Sequence, residues 1–328
     1  MDGSRKFALG VDIGGTKVAA GLVDAEGTIF FQTRVAMPAR GSAAEGFGAV
    51  QSAIEAVFAA RPEARDRLTG IGICAPGPLD PVTGVILNPP NVPCWRNFAL
   101  GAEVERMFAL PVRLDNDGNA AALAEVLWGA GIGYRNVFYA TLGTGIGAGI
   151  VFDGRIYHGR TGAAAEGGHV TIDYRGPVCG CGKRGCIETF CSGPAIARRA
   201  KERLVESLLA GADPEVSILL GLVGGDGDAV SAEIVAEAFR QGDPLAGEVL
   251  RETADFLAIW AGTIVDLVEP DVLIFGGGLS QVMSGFFGRI REELPKWCEN
   301  QRCGEMPLVL AKYGADAGIA GAAALCRV

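Results

Sequence analysis

One imidazole and three thiols stand in a single short stretch of this chain: His169, Cys179, Cys181 and Cys186. Together they form the donor set of a closed tetrahedral zinc site, which leaves no position open for a reacting water, so such an ion holds a loop and is not the catalyst. Gly180, Gly182 and Gly185 alternate with the cysteines. Glycine's access to positive φ lets a short loop turn back and aim three sulfurs at one ion. Free buried thiols, or a disulfide with spare cysteines, are the competing reading. Closed sites of this kind use this ligand set at these short spacings, which favours the metal.

Two glycine turns carry a second kind of chemistry. Gly10 to Lys17 nearly matches the Walker phosphate loop, but threonine precedes the lysine and a strand is expected where that motif needs a helix. Gly143-Thr144-Gly145-Ile146-Gly147-Ala148 has the spacing of the dinucleotide-binding turn and also runs into a β-rich segment. Neither standard motif holds. What remains is that backbone N–H groups exposed in glycine turns make anion nests, and Thr16, Lys17 and Thr144 add donors suited to a polyphosphate. Two tight hairpins without a ligand are the plainer alternative. A side chain added at Gly145 is expected to obstruct nucleotide.

Asp115-Asn116-Asp117-Gly118-Asn119 lies between a strand and a helix. One of its aspartates is expected to cap the helix. The other is then available to accept a proton from a hydroxyl, as phosphoryl transfer to an alcohol requires.

The elements that must position these groups follow from hydropathy patterning. Strands are expected at 7–11, 18–23 and 28–35, with an amphipathic helix over 43–60 whose inner side carries Phe47, Val50, Ile54, Val57 and Phe58. Strands at 70–74 and 112–115 follow, with helices at 98–108 and 119–127. The pattern strand, glycine turn, strand then returns over 137–152. Two such units suggest duplicated domains closing on a cleft, a natural place for a ligand. Helices over 194–209, 231–240 and 244–269, a strand over 271–275 running into Gly276-Gly277-Gly278, and a closing helix over 314–326 complete the chain.

A chain of 328 residues, 49% of them hydrophobic, is long enough for two domains with separate cores. A net charge of -9 and a pI near 4.9 argue against a nucleic-acid or anionic-membrane surface. Arg5 and Lys6 precede an apolar run too short for a signal-peptide core, and no later run spans a membrane. Nine cysteines, an odd number, suit a reducing compartment and a cytoplasmic protein.

Taken in order, Asp12-Ile13-Gly14-Gly15-Thr16-Lys17, Asn116-Asp117, Leu142-Gly143-Thr144-Gly145, Glu166-Gly167-Gly168-His169, the Cys-x-Cys-x4-Cys cluster with Glu188, and Phe275-Gly276-Gly277-Gly278 make a pattern. It resembles the ROK family of bacterial sugar kinases and repressors, most closely its glucokinases, over nearly the whole chain. The resemblance implies an α/β, actin/hexokinase-like (ribonuclease H-like) fold of two domains: a smaller one over 1–117 completed by 314–328, and a larger one over 118–313 bearing the zinc loop. It implies ATP-dependent transfer of a phosphoryl group to the 6-hydroxyl of glucose, with magnesium, in a homodimer. N-acetylglucosamine, N-acetylmannosamine, mannose and fructose are the alternative acceptors, and a non-catalytic sugar sensor is the alternative class.

Carried over by position, the resemblance makes Asp117 the general base. It puts Asn91, Asn116, Asp117, Glu166, His169 and Glu188 on the sugar, with one ring nitrogen of His169 on zinc. Phosphates fall to Gly14, Gly15, Thr16, Lys17, Thr144 and Gly145, the adenosine side to Gly276, Gly277 and Gly278, and magnesium, through water, to Asp12. Cys94, where the family has glycine, is a departure in the sugar-side loop. The family's repressors carry an amino-terminal helix-turn-helix domain and often lose the zinc or catalytic residues, both of which are kept here.

Overall fold

Two nearly continuous apolar runs, a third that alternates, and the tight turns between them produce a meander: β1 (Phe7–Ile13), β2 (Lys17–Val23) and β3 (Ile29–Ala36), paired antiparallel in sequence order. The computed structural model describes residues 7–211 and 217–328; Arg5 and Lys6 lie outside them. Helix α1 (Ala43–Ala60) starts at a capping box in which Ser42 and Glu45 satisfy each other's backbone N–H groups. There follow β4 (Leu68–Ala75), the short hairpin β5 (Leu79–Asp80) and β6 (Val85–Ile86), α2 (Leu100–Phe108), β7 (Val112–Asn116) and α3 (Asp117–Trp128). Strands β4 and β7 run parallel to β1, giving a sheet of order β3-β2-β1-β4-β7.

The chain then forms β8 (Asn136–Leu142), β9 (Ile146–Phe152) and β10 (Arg155–Ile156). Helices α4 (Glu188–Cys191), α5 (Gly193–Leu209), α6 (Ile218–Leu222), α7 (Ala232–Arg240) and α8 (Pro244–Val268) come next. Strand β11 (Val272–Gly276), helices α9 (Ser280–Ser284) and α10 (Phe287–Glu293), strand β12 (Leu308–Leu310) and helix α11 (Ala317–Ala324) end it. The second sheet has the order β10-β9-β8-β11-β12. The two orders match: each places the first strand of a three-strand meander at the centre, with two later strands beyond it.

Packing divides the chain into two units. The first comprises the described residues to Tyr139, Ala148–Ala165 and Ala311–Val328; the second comprises Ala140–Gly147 and the described residues of Glu166–Leu310. In the first unit Leu9, Val11 and Ile13 face one side of the sheet and pack with Val50, Ile54 and Val57 of α1. Ala8, Ala19 and Cys74 face the other side and pack with Leu123 of α3 and Ile319 and Ala323 of α11. Helix α11 lies so close to the sheet that a Cβ on Gly10 would come 2.1 Å from the Ile319 carbonyl oxygen, and one on Gly72 would come 1.7 Å from that of Ala322. Gly10 and Gly72 are register neighbours on β1 and β4, so the sheet presents a bare backbone groove to the helix. Helix α3 packs on α11 through Gly321, which is why this unit runs past the boundary expected at 117. Among the described residues no helix is long and apolar enough to cross a membrane.

Candidate functional site

In the first unit the candidate residues collect at the carboxyl ends of parallel strands, where open α/β sheets bind their ligands. Asp12, Cys74 and Asp115 are register neighbours across β1, β4 and β7, and Asn116 and Asp117 follow directly where β7 gives way to α3. Asp12 accepts the Cys74 thiol at 3.5 Å. Burial raises the Asp12 pKa, opposed by the Cys74 hydrogen bond and the charges of Lys17 and Arg34. A cation bound there would offset that burial penalty.

The helix cap is Asn116 rather than an aspartate. Its Oδ1 accepts from the backbone N–H groups of Gly118 at 2.9 Å and Asn119 at 3.4 Å. Asp115 points elsewhere: its Oδ1 accepts from the Asn116 backbone N–H and the Asn119 side-chain amide, and its Oδ2 meets His158. Asparagine serves the capping position as well as aspartate does, and the register of β7 decides which of the three residues takes it. Asp117 becomes the first residue of α3 and is exposed, with its Oδ1 accepting the Gly118 N–H at 2.8 Å. It is thus an accessible carboxylate at a helix N-terminus.

The turn Gly14–Lys17 closes with a 2.9 Å bond from the Gly14 N–H to the Lys17 carbonyl, and Thr16 and Lys17 are exposed. A Cβ on Gly15 would come 2.9 Å from the Asn91 carbonyl oxygen, so this turn and the Pro90–Pro93 loop are brought together. Cys94 is half-buried, donates its N–H to Ala39, and turns its sulfur toward Gly46 of α1.

In the second unit the structure brings the four metal-ligand candidates together, their donor atoms all within 4.8 Å of one another. Cys181 and Cys186 sulfurs are 3.7 Å apart, and the Cys179 sulfur lies 3.6 Å from His169 Nδ1. Zinc at ordinary bond lengths needs tetrahedral edges of about 3.8 Å between sulfurs and about 3.6 Å between sulfur and nitrogen. The donor set and its spacing fit the ion. Gly182 and Gly185 take the expected positive φ, whereas Gly180 does not. Burial raises the Cys179 thiol and pushes Cys186 up to about 12, while the backbone N–H of Lys183 lowers Cys181; a coordinated cation favours thiolate in all three.

Three predicted groups converge beside this cluster. Glu188, the first residue of α4, accepts the Ile146 N–H through Oε2 at 2.9 Å, and its Oε1 accepts the Cys179 thiol at 3.7 Å. A Cβ on Gly168 would fall 1.9 Å from the Ile146 carbonyl, so the Glu166–His169 turn rests on the same residue. Ile146, which follows the Thr144–Gly145 turn, is therefore met both by Glu188 and by the Glu166–His169 turn. Trp260 of α8 donates to the Gly167 carbonyl at 2.9 Å and fixes the turn from behind.

A cavity of about 960 Å³ opens on the other side of that glycine turn. Thr144 and Gly278, both predicted, line it together with Pro194, Glu233, Phe239 and Val282. Gly277 at φ 81 holds its loop against the Leu142 carbonyl, closer than any side chain could allow. Gly276 is the buried last residue of β11 and does not line the cavity. Sequence reasoning expected the helices over 194–209 and 231–240 but did not assign the start of α5 or the wall supplied by α7 to this cavity. Ser192, which caps α5 just before Gly193-Pro194, was the available signal. It also missed His158.

The ROK family model matches residues 8–328. The chain is 38% identical to a glucokinase of Streptomyces coelicolor over 98% of both chains. It is 33% identical to a glucokinase of Thermotoga maritima over 97% of this chain and 96% of that one. Among solved structures, a ROK family glucokinase from Streptomyces griseus in complex with glucose and AMPPNP superposes with a TM-score of 0.81 at 37% identity, covering 98% of this chain and 99% of that one.

Proposed function

The chain belongs to the ROK family, and on that ground we propose that it is an ATP-dependent glucokinase, transferring the terminal phosphoryl group of ATP to the 6-hydroxyl of glucose. The observation that carries this reading is the end-to-end similarity to glucokinases, one of them solved with glucose and an ATP analogue.

The chain's own residues supply a consistent set of tasks. Asp117 accepts the proton of the attacking hydroxyl from its position at the head of α3, where a helix N-terminus favours negative charge. Asn91, Asn116, Glu166, His169 and Glu188 are the residues assigned to the sugar hydroxyls. The Thr144–Gly145 turn and the Gly14–Lys17 turn offer N–H groups to phosphate oxygens. The 960 Å³ cavity, mostly apolar with a few polar groups at its rim, suits the base and ribose of the nucleotide. ATP would provide the phosphoryl group, and Asp12 would hold, through water, a magnesium ion that would offset the charge of the phosphates.

Zinc on His169 Nδ1, Cys179, Cys181 and Cys186 is structural in this reading. With Nδ1 holding the metal, Nε2 would be left for a sugar hydroxyl, so a bound ion would set the orientation of a substrate-binding ring. The resemblance also implies a homodimer, and the thiols fit a cytoplasmic protein.

A coupled assay with ATP, magnesium and a panel of hexoses tests the reading. Glucose is expected to give the highest kcat/KM; a preference for another hexose would reassign the substrate, and no phosphorylation of any hexose would overturn the kinase.

A further inference from the structure

Asp115 has no chemical task in that reading, yet it is a nearly buried carboxylate two residues before the base. Both of its oxygens are engaged: Oδ1 accepts the Asn116 N–H at 2.7 Å and the Asn119 amide at 3.0 Å, and Oδ2 lies 2.6 Å from His158 Nε2. A carboxylate only accepts, so Nε2 carries the proton. The Asp115 side chain is 5% exposed and that of His158 36%, so the imidazole reaches inward from the surface.

His158 follows β10, on a loop tied by bonds from the Tyr157 N–H to the Ile150 carbonyl and from the Ala164 N–H to the His158 carbonyl. The same segment also supports the start of α3, since a Cβ on Gly118 would come 2.3 Å from the Ala148 carbonyl oxygen. Residues 148–158 therefore hold the β7–α3 junction at two points: Ala148 against Gly118 and His158 on Asp115.

We propose, building on the sugar-kinase reading, that His158 is a positioning residue for phosphoryl transfer, acting through Asp115 to fix the backbone that presents Asp117. The bond from the Asn116 N–H to Asp115 sets the orientation of the residue that caps α3, and Asp117 is the next residue. If His158 is lost, the Asp115 carboxylate is held through Oδ1 alone, and the slack at Oδ2 passes through one peptide unit to the base. Reaction needs the attacking oxygen, the base and the phosphorus aligned, and small misplacements are costly there. Nucleotide binding, which rests on other elements, is left alone.

The test measures kcat and both KM values for the parent, His158→Ala, His158→Gln, Asp115→Asn and the double variant His158→Ala/Asp115→Asn. His158→Ala is expected to lower kcat roughly ten- to a hundredfold with KM for ATP within about twofold of the parent. His158→Gln, which keeps an N–H donor, is expected to recover most of that loss. The double variant is expected to be no slower than Asp115→Asn, because the two residues act as one unit. A His158→Ala kcat within twofold of the parent, an equal loss in His158→Gln, or multiplying losses in the double variant would each overturn the proposal. Should Asp115→Asn fail to fold, the His158 pair of variants decides alone. A parent inactive on every hexose removes the kinase reading and this proposal together; an active parent with an unaffected His158→Ala removes this proposal only.

Discussion

The carboxylate of Glu188 joins the cysteine loop to the Thr144–Gly145 turn: one oxygen accepts the Ile146 N–H at 2.9 Å and the other lies 3.7 Å from the Cys179 sulfur. A Cβ on Gly145 would stand 2.6 Å from that carboxylate. A side chain at 145 would therefore press on a sugar-binding candidate, besides obstructing the nucleotide as expected from the sequence, and the first of these effects was not legible there.

Gly145→Val is accordingly expected to raise KM for glucose and for ATP together, each by about tenfold or more, the equivalent of roughly 1.4 kcal/mol per tenfold. Steady-state kinetics with each substrate varied in turn checks this. A rise confined to ATP would mean that Glu188 yields without losing its sugar contacts.

The zinc reading predicts about one ion per chain by elemental analysis of protein purified without chelator. Cys181→Ala is expected to lose most of that metal and to weaken glucose binding, because His169 then loses the bond that orients its ring. Calorimetry with glucose separates the two effects. A metal-free variant with parental glucose affinity would detach the ion from the sugar site.

Much of this was legible in the sequence because it is local. Ser42 and Glu45 announce the start of α1, and the spacing of Val50, Ile54 and Val57 announces its buried side. The four metal-ligand candidates lie close along the chain, so their types and intervals carried the chemistry. What was not legible depends on residues far apart. Gly10 and Gly72 are glycines because a helix more than two hundred residues away lies on them. His158 reads as a loop histidine until the β9–β10 hairpin carries it to Asp115. The choice of Asn116 as cap follows from where β7 ends, which residue types cannot decide because Asp and Asn cap equally well.

The pair His158–Asp115 also predicts a pH dependence. The hydrogen bond to Asp115 raises the His158 pKa, helped by the carboxylate's charge and opposed by burial. A group that holds its proton more tightly when folded contributes fully below its unfolded pKa, about 6.5 for histidine, and loses that contribution as pH rises through the folded value. The stability gap between the parent and His158→Gln is therefore expected to be wider near pH 5.5 than near pH 9. Urea midpoints at the two values check it; a gap that widens with pH would assign the pair the opposite sign.

Asp117 decides the mechanism. Phosphoryl transfer to an alcohol asks the protein mostly to position reactants and stabilise charge, and the hydroxyl proton leaves late, so the base contributes to rate more than to binding. Asp117→Asn keeps the size of the side chain and its bond to the Gly118 N–H. It leaves Asn116 as the cap, so α3 keeps its start and the substitution isolates the proton-accepting role. A general base typically contributes about 10²- to 10⁴-fold, or roughly 3 to 5 kcal/mol of barrier. The kcat of Asp117→Asn is expected to fall by that factor while glucose still binds, as read by calorimetry. Because the capping role belongs to Asn116, a structural explanation for Asp117 is already weakened. A kcat within a few-fold of the parent would therefore leave the residue without a role and would overturn the mechanism.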